Sequence, residues 1–144
     1  METNDETTIT VEIIVNASLE KAWECWVDPE HITQWAHASD DWHAPYAENN
    51  LRKGGKFKTT MAAKDGSFSF DFEGVYTIIK KHNFIEYMIG DGRMVSISFT
   101  STGSSTKISE TFEAENQHAI EIQQDGWQAI LNNFKKYTEG TISN

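Results

Sequence analysis

The chain has 144 residues with 22 acidic and 12 basic side chains, a formal net charge of -10, which is enough for one domain with its own core. A hydrophobic fraction of 38% with 12% aromatic residues excludes a disordered chain. The acidic field opposes phosphate backbones and anionic lipid, so neither nucleic acid nor a membrane surface is an expected partner.

Taken in chain order, Met1–Glu6 is acidic where a targeting peptide is basic, and the reading is a cytoplasmic protein with loose ends at Met1–Glu6 and Ile142–Asn144. Thr8–Val15 is β-branched and roughly alternating, which predicts a strand, and Ser18 follows as a helix cap. Ala22, Trp23, Trp26 and Val27 recur at helical spacing, and Asp28-Pro29 ends that helix and opens a second one to about Trp35. Ala36–Asn50 follows neither period and is expected to be a loop packed down by its aromatic residues.

Five strands are then expected, at Lys56–Ala62, Phe68–Lys80, Phe84–Ile89, Arg93–Thr100 and Thr106–Ala114, with short turns that argue an antiparallel meander. In the longest, Phe68, Phe70, Phe72, Tyr76 and Ile78 share one parity, the expected buried face. The last element, about His118–Tyr137, carries an apolar stripe of Ile120, Trp127, Ile130, Leu131, Phe134 and Tyr137, with Gly140 beyond its end. The fold class is therefore α+β: a curved antiparallel sheet around a long C-terminal helix, with two short helices after the first strand, in a single domain ordered over about residues 8–139.

Several motifs carry a resemblance. Ala22-Trp23 to Trp26, Asp28-Pro29-Glu30, Ile32 to Trp35, Leu51-Arg52-Lys53-Gly54-Gly55-Lys56-Phe57, Phe72-Glu73-Gly74-Val75-Tyr76, Glu110-Thr111-Phe112 and Gly126-Trp127-Gln128-Ala129-Ile130-Leu131 occur in that order. Together they resemble the activator-of-Hsp90-ATPase-like (AHSA1-like) family of the START-like, helix-grip superfamily, over about Ile9 to Glu139. The resemblance implies a helix-grip fold with a deep cavity between the long helix and the sheet, used in related proteins for apolar molecules. The eukaryotic namesake, which carries an additional N-terminal domain, stimulates Hsp90. A small apolar or amphipathic ligand is thus the first expected partner and an Hsp90-type chaperone the second.

The candidate contact residues are Trp35, Trp42, His43, Phe70, Phe72, Tyr76, Ile97, Phe99, Glu110, Phe112, Trp127, Ile130 and Phe134. The aromatic and aliphatic members either fill a close-packed core or fail to close it and leave a pocket. Glu110 lies between Ile108 and Phe112 on the buried parity. A carboxylate there is either satisfied by an Arg, Tyr or Trp, or a polar anchor or acid/base group with a raised pKa. Asp40, Asp41, Trp42 and His43 lie near the expected cavity mouth, where they either hold the loop or read a polar head group. Glu110 and His43 are the candidates for cyclase- or aromatase-like chemistry.

Other chemistries lack support. His43 has no second His at ligand spacing, so no metal is expected, and no cofactor motif is present. Arg52 before Gly54-Gly55 does not form a phosphate loop, and Arg93 follows a hairpin turn from which it could reach Glu110. Cys25, the sole cysteine, fits a buried inert thiol in a reducing compartment.

Overall fold

Ten elements follow one another in a computed structural model that describes residues 7–142. Strand β1 (Thr8–Val15) is followed by helices α1 (Leu19–Val27) and α2 (Pro29–Trp35). Strands β2 (Trp42–Asn49), β3 (Lys56–Ala63), β4 (Ser69–Lys80), β5 (Phe84–Ile89), β6 (Met94–Ser101) and β7 (Thr106–Glu113) come next, and α3 (Ile120–Ile142) closes the chain. The strands form one antiparallel sheet in the order β1-β7-β6-β5-β4-β3-β2, so α1 and α2 carry the chain from one sheet edge to the other.

The short helices start where the sequence predicts. The Ser18 hydroxyl accepts from the Lys21 amide at 3.1 Å, and the Asp28 carboxylate accepts from the Glu30 amide at 2.9 Å, each satisfying a donor with no partner within the helix. Pro29 at the start of α2 gives up no helical hydrogen bond there.

Three expectations are corrected. Ala36–Asn50 is not all loop, because Trp42–Asn49 is the edge strand β2. Its pairing with β3 shifts register between His43 and Tyr46, around Pro45, and an edge strand with a bulge tolerates the missing proline N–H that hides the period-2 signal. On β4 the pairing with β5 shifts between Tyr76 and Ile78, so Thr77 is the extra residue. Beyond it Ile79, not Ile78, packs against the core. Phe68 and Phe70, at the start of the same parity, are 59% and 44% exposed rather than buried.

The third correction concerns the C-terminus. The long helix continues through Gly140 to Ile142, which is therefore no loose end; Met1–Glu6 and residues 143–144 lie outside the described residues. Gly126 also sits within α3, and an added Cβ would meet nothing within 4 Å. Gly126→Ala is therefore expected to raise stability by about 1 kcal/mol, since only the helical entropy cost of glycine changes. A lower thermal midpoint would show that this position needs its glycine.

The core lies between α3 and the sheet. Phe134, Leu131, Ile97, Ile108, Phe112 and Val95 are almost completely buried there. Phe134 packs edge-on against Trp26 and Trp35 at ring separations of 5.0 Å each, and Trp26 in turn meets Phe99 at 5.8 Å. The C-terminal half of α3 is thus sealed to α1, α2 and β6 by aromatic contacts. Cys25 is buried, and burial raises its thiol pKa, as an inert thiol requires.

Candidate functional site

Toward the N-terminal half of α3 the packing opens into a cavity of about 330 Å³. Trp127 and Ile130 line it from the helix, Phe57 and Met61 from β3, Phe70, Phe72 and Tyr76 from β4, and Ile85 and Tyr87 from β5. Trp26, Ile32 and Trp35 close the end nearest the short helices. A second space of about 300 Å³ shares Met61, Phe70, Trp127 and Ile130 with the first and adds Trp42 and His37, which makes it a vestibule.

Local sequence choices explain why aromatic residues ring a void rather than fill it. Trp127 lies flat on Phe112, with ring centres 3.8 Å apart and planes 11° apart, so its indole forms wall and not filling. Phe57 crosses over Gly74 of the paired strand β4, where a Cβ would lie 2.6 Å from the ring and 2.8 Å from the Met88 carbonyl oxygen. That glycine lets the Phe57 ring lie across β4 and meet Tyr87 at 4.7 Å and Tyr76 at 5.3 Å.

One charge-bearing group is set deep in this surface. Glu110 is 5% exposed; its cross-strand neighbours are Val11 and Ile97, and Ile108 and Phe112 flank it on its own face. Among the described residues it has neither a hydrogen-bond nor an ion-pair partner, and burial alone pushes its carboxyl up to about 8. The expected alternatives of an Arg or hydroxyl partner are not realised. Arg93 reaches the cavity, but its Nε donates to Asp91 Oδ2 at 2.8 Å and its Nη1 donates to the Glu113 carbonyl at 3.0 Å.

Two tyrosines add to the polar lining. The Tyr76 hydroxyl donates to Asn49 Oδ1 at 2.6 Å, and Asn49 Nδ2 donates to the Val27 carbonyl at 2.7 Å, which ties β2 to the end of α1. Tyr87 makes no such bond among the described residues, and burial, then the nearby Glu110 and Tyr76, raise its hydroxyl well above the ordinary range. At neutral pH the inner cavity therefore offers neutral hydroxyl and carboxyl groups within an aromatic wall.

The structure brings Trp35, Phe70, Phe72, Tyr76, Glu110, Trp127 and Ile130 of the candidate set to the cavity, and Trp42 to its vestibule. It does not bring Ile97, Phe99, Phe112 or Phe134 there; they are 0–3% exposed and fill the core instead. Nor does it bring His43, whose side chain is exposed because strand alternation turns Trp42 and Ala44 inward. The imidazole at the vestibule is His37, held below its ordinary pKa first by burial and then by Lys64. Its Nδ1 has no partner among the described residues, while its backbone carbonyl accepts from Asn133 Nδ2.

Sequence reasoning missed Tyr87, Phe57, Met61, Asn49 and His37. Tyr87 was findable, since Ile85, Tyr87 and Ile89 share the buried parity of β5. Asn49 was not, because its role depends on β2 being a strand.

Among the described residues no helix is long and apolar enough to cross a membrane, and no three His, Cys, Asp or Glu side chains are grouped to hold a metal ion.

A long helix cradled by a curled seven-stranded sheet, with a cavity between them, defines a protein of the helix-grip type. The profile of the family described as "Activator of Hsp90 ATPase homolog 1-like protein" matches residues 16–139, and the chain belongs to that family. It is similar to the AHSA1-like protein from Aeromonas hydrophila, with 40% identity, a TM-score of 0.90, and coverage of 96% of each chain. It is also similar to Chr148 from Cytophaga hutchinsonii, with 55% identity, a TM-score of 0.80, and coverage of 95% of each chain. Protein CV1439 from Chromobacterium violaceum, at 20% identity and a TM-score of 0.82 over 92% of this chain and 98% of that one, shares the fold. No curated protein matches the sequence at a significant level.

Proposed function

We propose that this chain binds a small apolar or amphipathic molecule between α3 and the sheet, with its polar group at Glu110. The observation that carries the reading is the aromatic-walled cavity of about 330 Å³, within the range of ligand pockets, together with the buried carboxyl that faces it. A polar group taken out of water is costly unless something bonds it, and a ligand seated in the cavity would do so.

The test is the thermal midpoint of the protein across a panel of apolar metabolites, alongside Ile130→Trp, which places a larger ring at the junction of cavity and vestibule. A ligand at about 100 times its dissociation constant stabilises by about 2.7 kcal/mol, which corresponds to several degrees in a chain of this size. The expected result is a saturable rise for one chemical class that Ile130→Trp abolishes while keeping its fold. A rise that survives Ile130→Trp unchanged would place the ligand elsewhere.

Family membership favours a second reading, contact with an Hsp90-type chaperone through the acidic surface. The absence of any ligand shift, combined with salt-sensitive capture of purified Hsp90, would transfer the function to that reading. Catalysis through His43 is disfavoured by its exposure, which leaves Glu110 as the one candidate acid/base group of the original pair inside the cavity.

A further inference from the structure

We infer that the cavity takes an apolar organic cation, a hydrophobic amine whose ammonium group sits at Glu110 and whose hydrocarbon lies against the aromatic wall. This names the ligand class of the site proposed above and rests on that reading.

Charge on the lining decides the sign of the ligand. The ionisable residues that line the cavity are Glu48 from β2, Tyr76 from β4, Tyr87 from β5, Arg93 from the turn before β6, Glu110 from β7 and Glu115 after it. Glu48 is exposed and its carboxylate accepts from the Tyr46 hydroxyl at 2.6 Å, while the Glu115 carboxylate meets His118 Nδ1 at 2.6 Å. Helix α3 contributes Gln123, Trp127 and Ile130 and no charge. Glu110 is thus the one unpartnered carboxyl of the lining among the described residues, and the Arg93 guanidinium is already matched by Asp91 at 2.8 Å and a backbone carbonyl, so it is not free to receive an anion. The chain as a whole carries -10. An anionic ligand such as a fatty acid is opposed by the field of the whole chain and finds no free guanidinium in the cavity, whereas a cation is drawn in.

Affinity for a cation also needs a counterion and a surface that stands in for water. Glu110 supplies the first, since the protein gives its carboxyl no partner of its own among the described residues. Aromatic rings such as Trp127, Phe72 and Tyr87 supply the second through their electron-rich faces. A neutral alcohol or ketone would gain one hydrogen bond from Glu110, without the charge pairing and without the cation–π attraction.

The binding step has a defined proton balance. With burial holding the Glu110 carboxyl up to about 8, it is mostly protonated at pH 7. Entry of an ammonium ion favours the carboxylate, so the O–H bond of Glu110 breaks, its proton leaves to solvent, and an ammonium–carboxylate pair remains. An alcohol enters with no proton released.

The experiment compares an amine, an alcohol and a carboxylate on each of two skeletons, decyl and 2-naphthylethyl, by titration calorimetry at pH 7 in two buffers of different ionisation enthalpy. The expected result is an amine at least roughly tenfold tighter than the matched alcohol, no measurable carboxylate binding, and about one proton released per amine bound. Glu110→Gln is expected to remove both the amine preference and the proton release. The proton count on the unmutated protein gives a reading independent of how the variant folds. An alcohol that binds as well as its amine, a carboxylate that binds, an amine preference that survives Glu110→Gln, or amine binding without proton release overturns the inference while the cavity remains a ligand site. Failure of all six compounds to bind overturns both.

Discussion

Glu110→Gln is expected to stabilise the ligand-free protein, by an amount that grows with pH. The folded-state carboxyl lies at about 8 against an ordinary value of 4.5. Between those values the unfolded chain has lost its proton and the folded chain keeps it, so wild-type stability falls as pH rises through that interval and levels off above pH 8. At about 1.4 kcal/mol per pH unit the full loss is roughly 4–5 kcal/mol. Gln has nearly the same shape and carries no titrating proton, so the variant escapes the loss.

The two proteins should therefore melt alike near pH 4 and differ by on the order of 10 °C near pH 8. His37, whose depressed pKa gives a contribution of opposite sign below its ordinary value of 6.5, is common to both and cancels in the difference. Parallel melting curves across pH 4–9 would show that Glu110 is already ionised or paired in the fold.

The second large effect belongs to Phe134→Ala. This ring is fully buried and sits edge-on to both Trp26 and Trp35, the contacts that join α3 to α1 and α2. Its removal is expected to cost about 3–5 kcal/mol, the range for deleting a core aromatic ring. Phe70→Ala, at a 44% exposed residue on the cavity rim, should cost about 1 kcal/mol or less yet weaken ligand binding. Chemical denaturation of both variants separates the roles. Comparable losses would mean that the rim ring is part of the core and that the division between sealed and open halves of α3 is misplaced.

That division marks where the sequence stopped being informative. Caps such as Ser18 and Asp28-Pro29 act within one turn, and strand alternation acts within a few residues, so the helices, six of the seven strands and the buried place of Glu110 were legible from local pattern. The edge strand β2 was not, because Pro45 and the register shift beside it break the alternation that identifies strands. The parity of β4 was legible only as far as Tyr76, since one extra residue at Thr77 exchanges the two faces beyond it.

Core and cavity residues were harder still to separate. Phe112 and Trp127 both lie on apolar stripes, yet one is buried beneath the other's ring and only Trp127 meets the cavity. Phe57 reaches the wall because a glycine on the next strand leaves room for its ring, a pairing visible only once the register is known. Whether a carboxylate on the buried face has a partner also depends on where distant side chains end, as Arg93 shows by turning to Asp91.

The central claim is that a ligand sits between α3 and the sheet, and the most direct measurement is methyl NMR during titration with the decyl and naphthylethyl compounds. Met61 and Ile130 line both the cavity and its vestibule, Ile85 lines the inner wall, and Ile108 lies in the sealed core. Saturable shifts are expected at Met61, Ile130 and Ile85, with Ile108 close to its starting position. Shifts confined to the exposed Ile14 and Met88, or no saturable shift at any methyl, would contradict it.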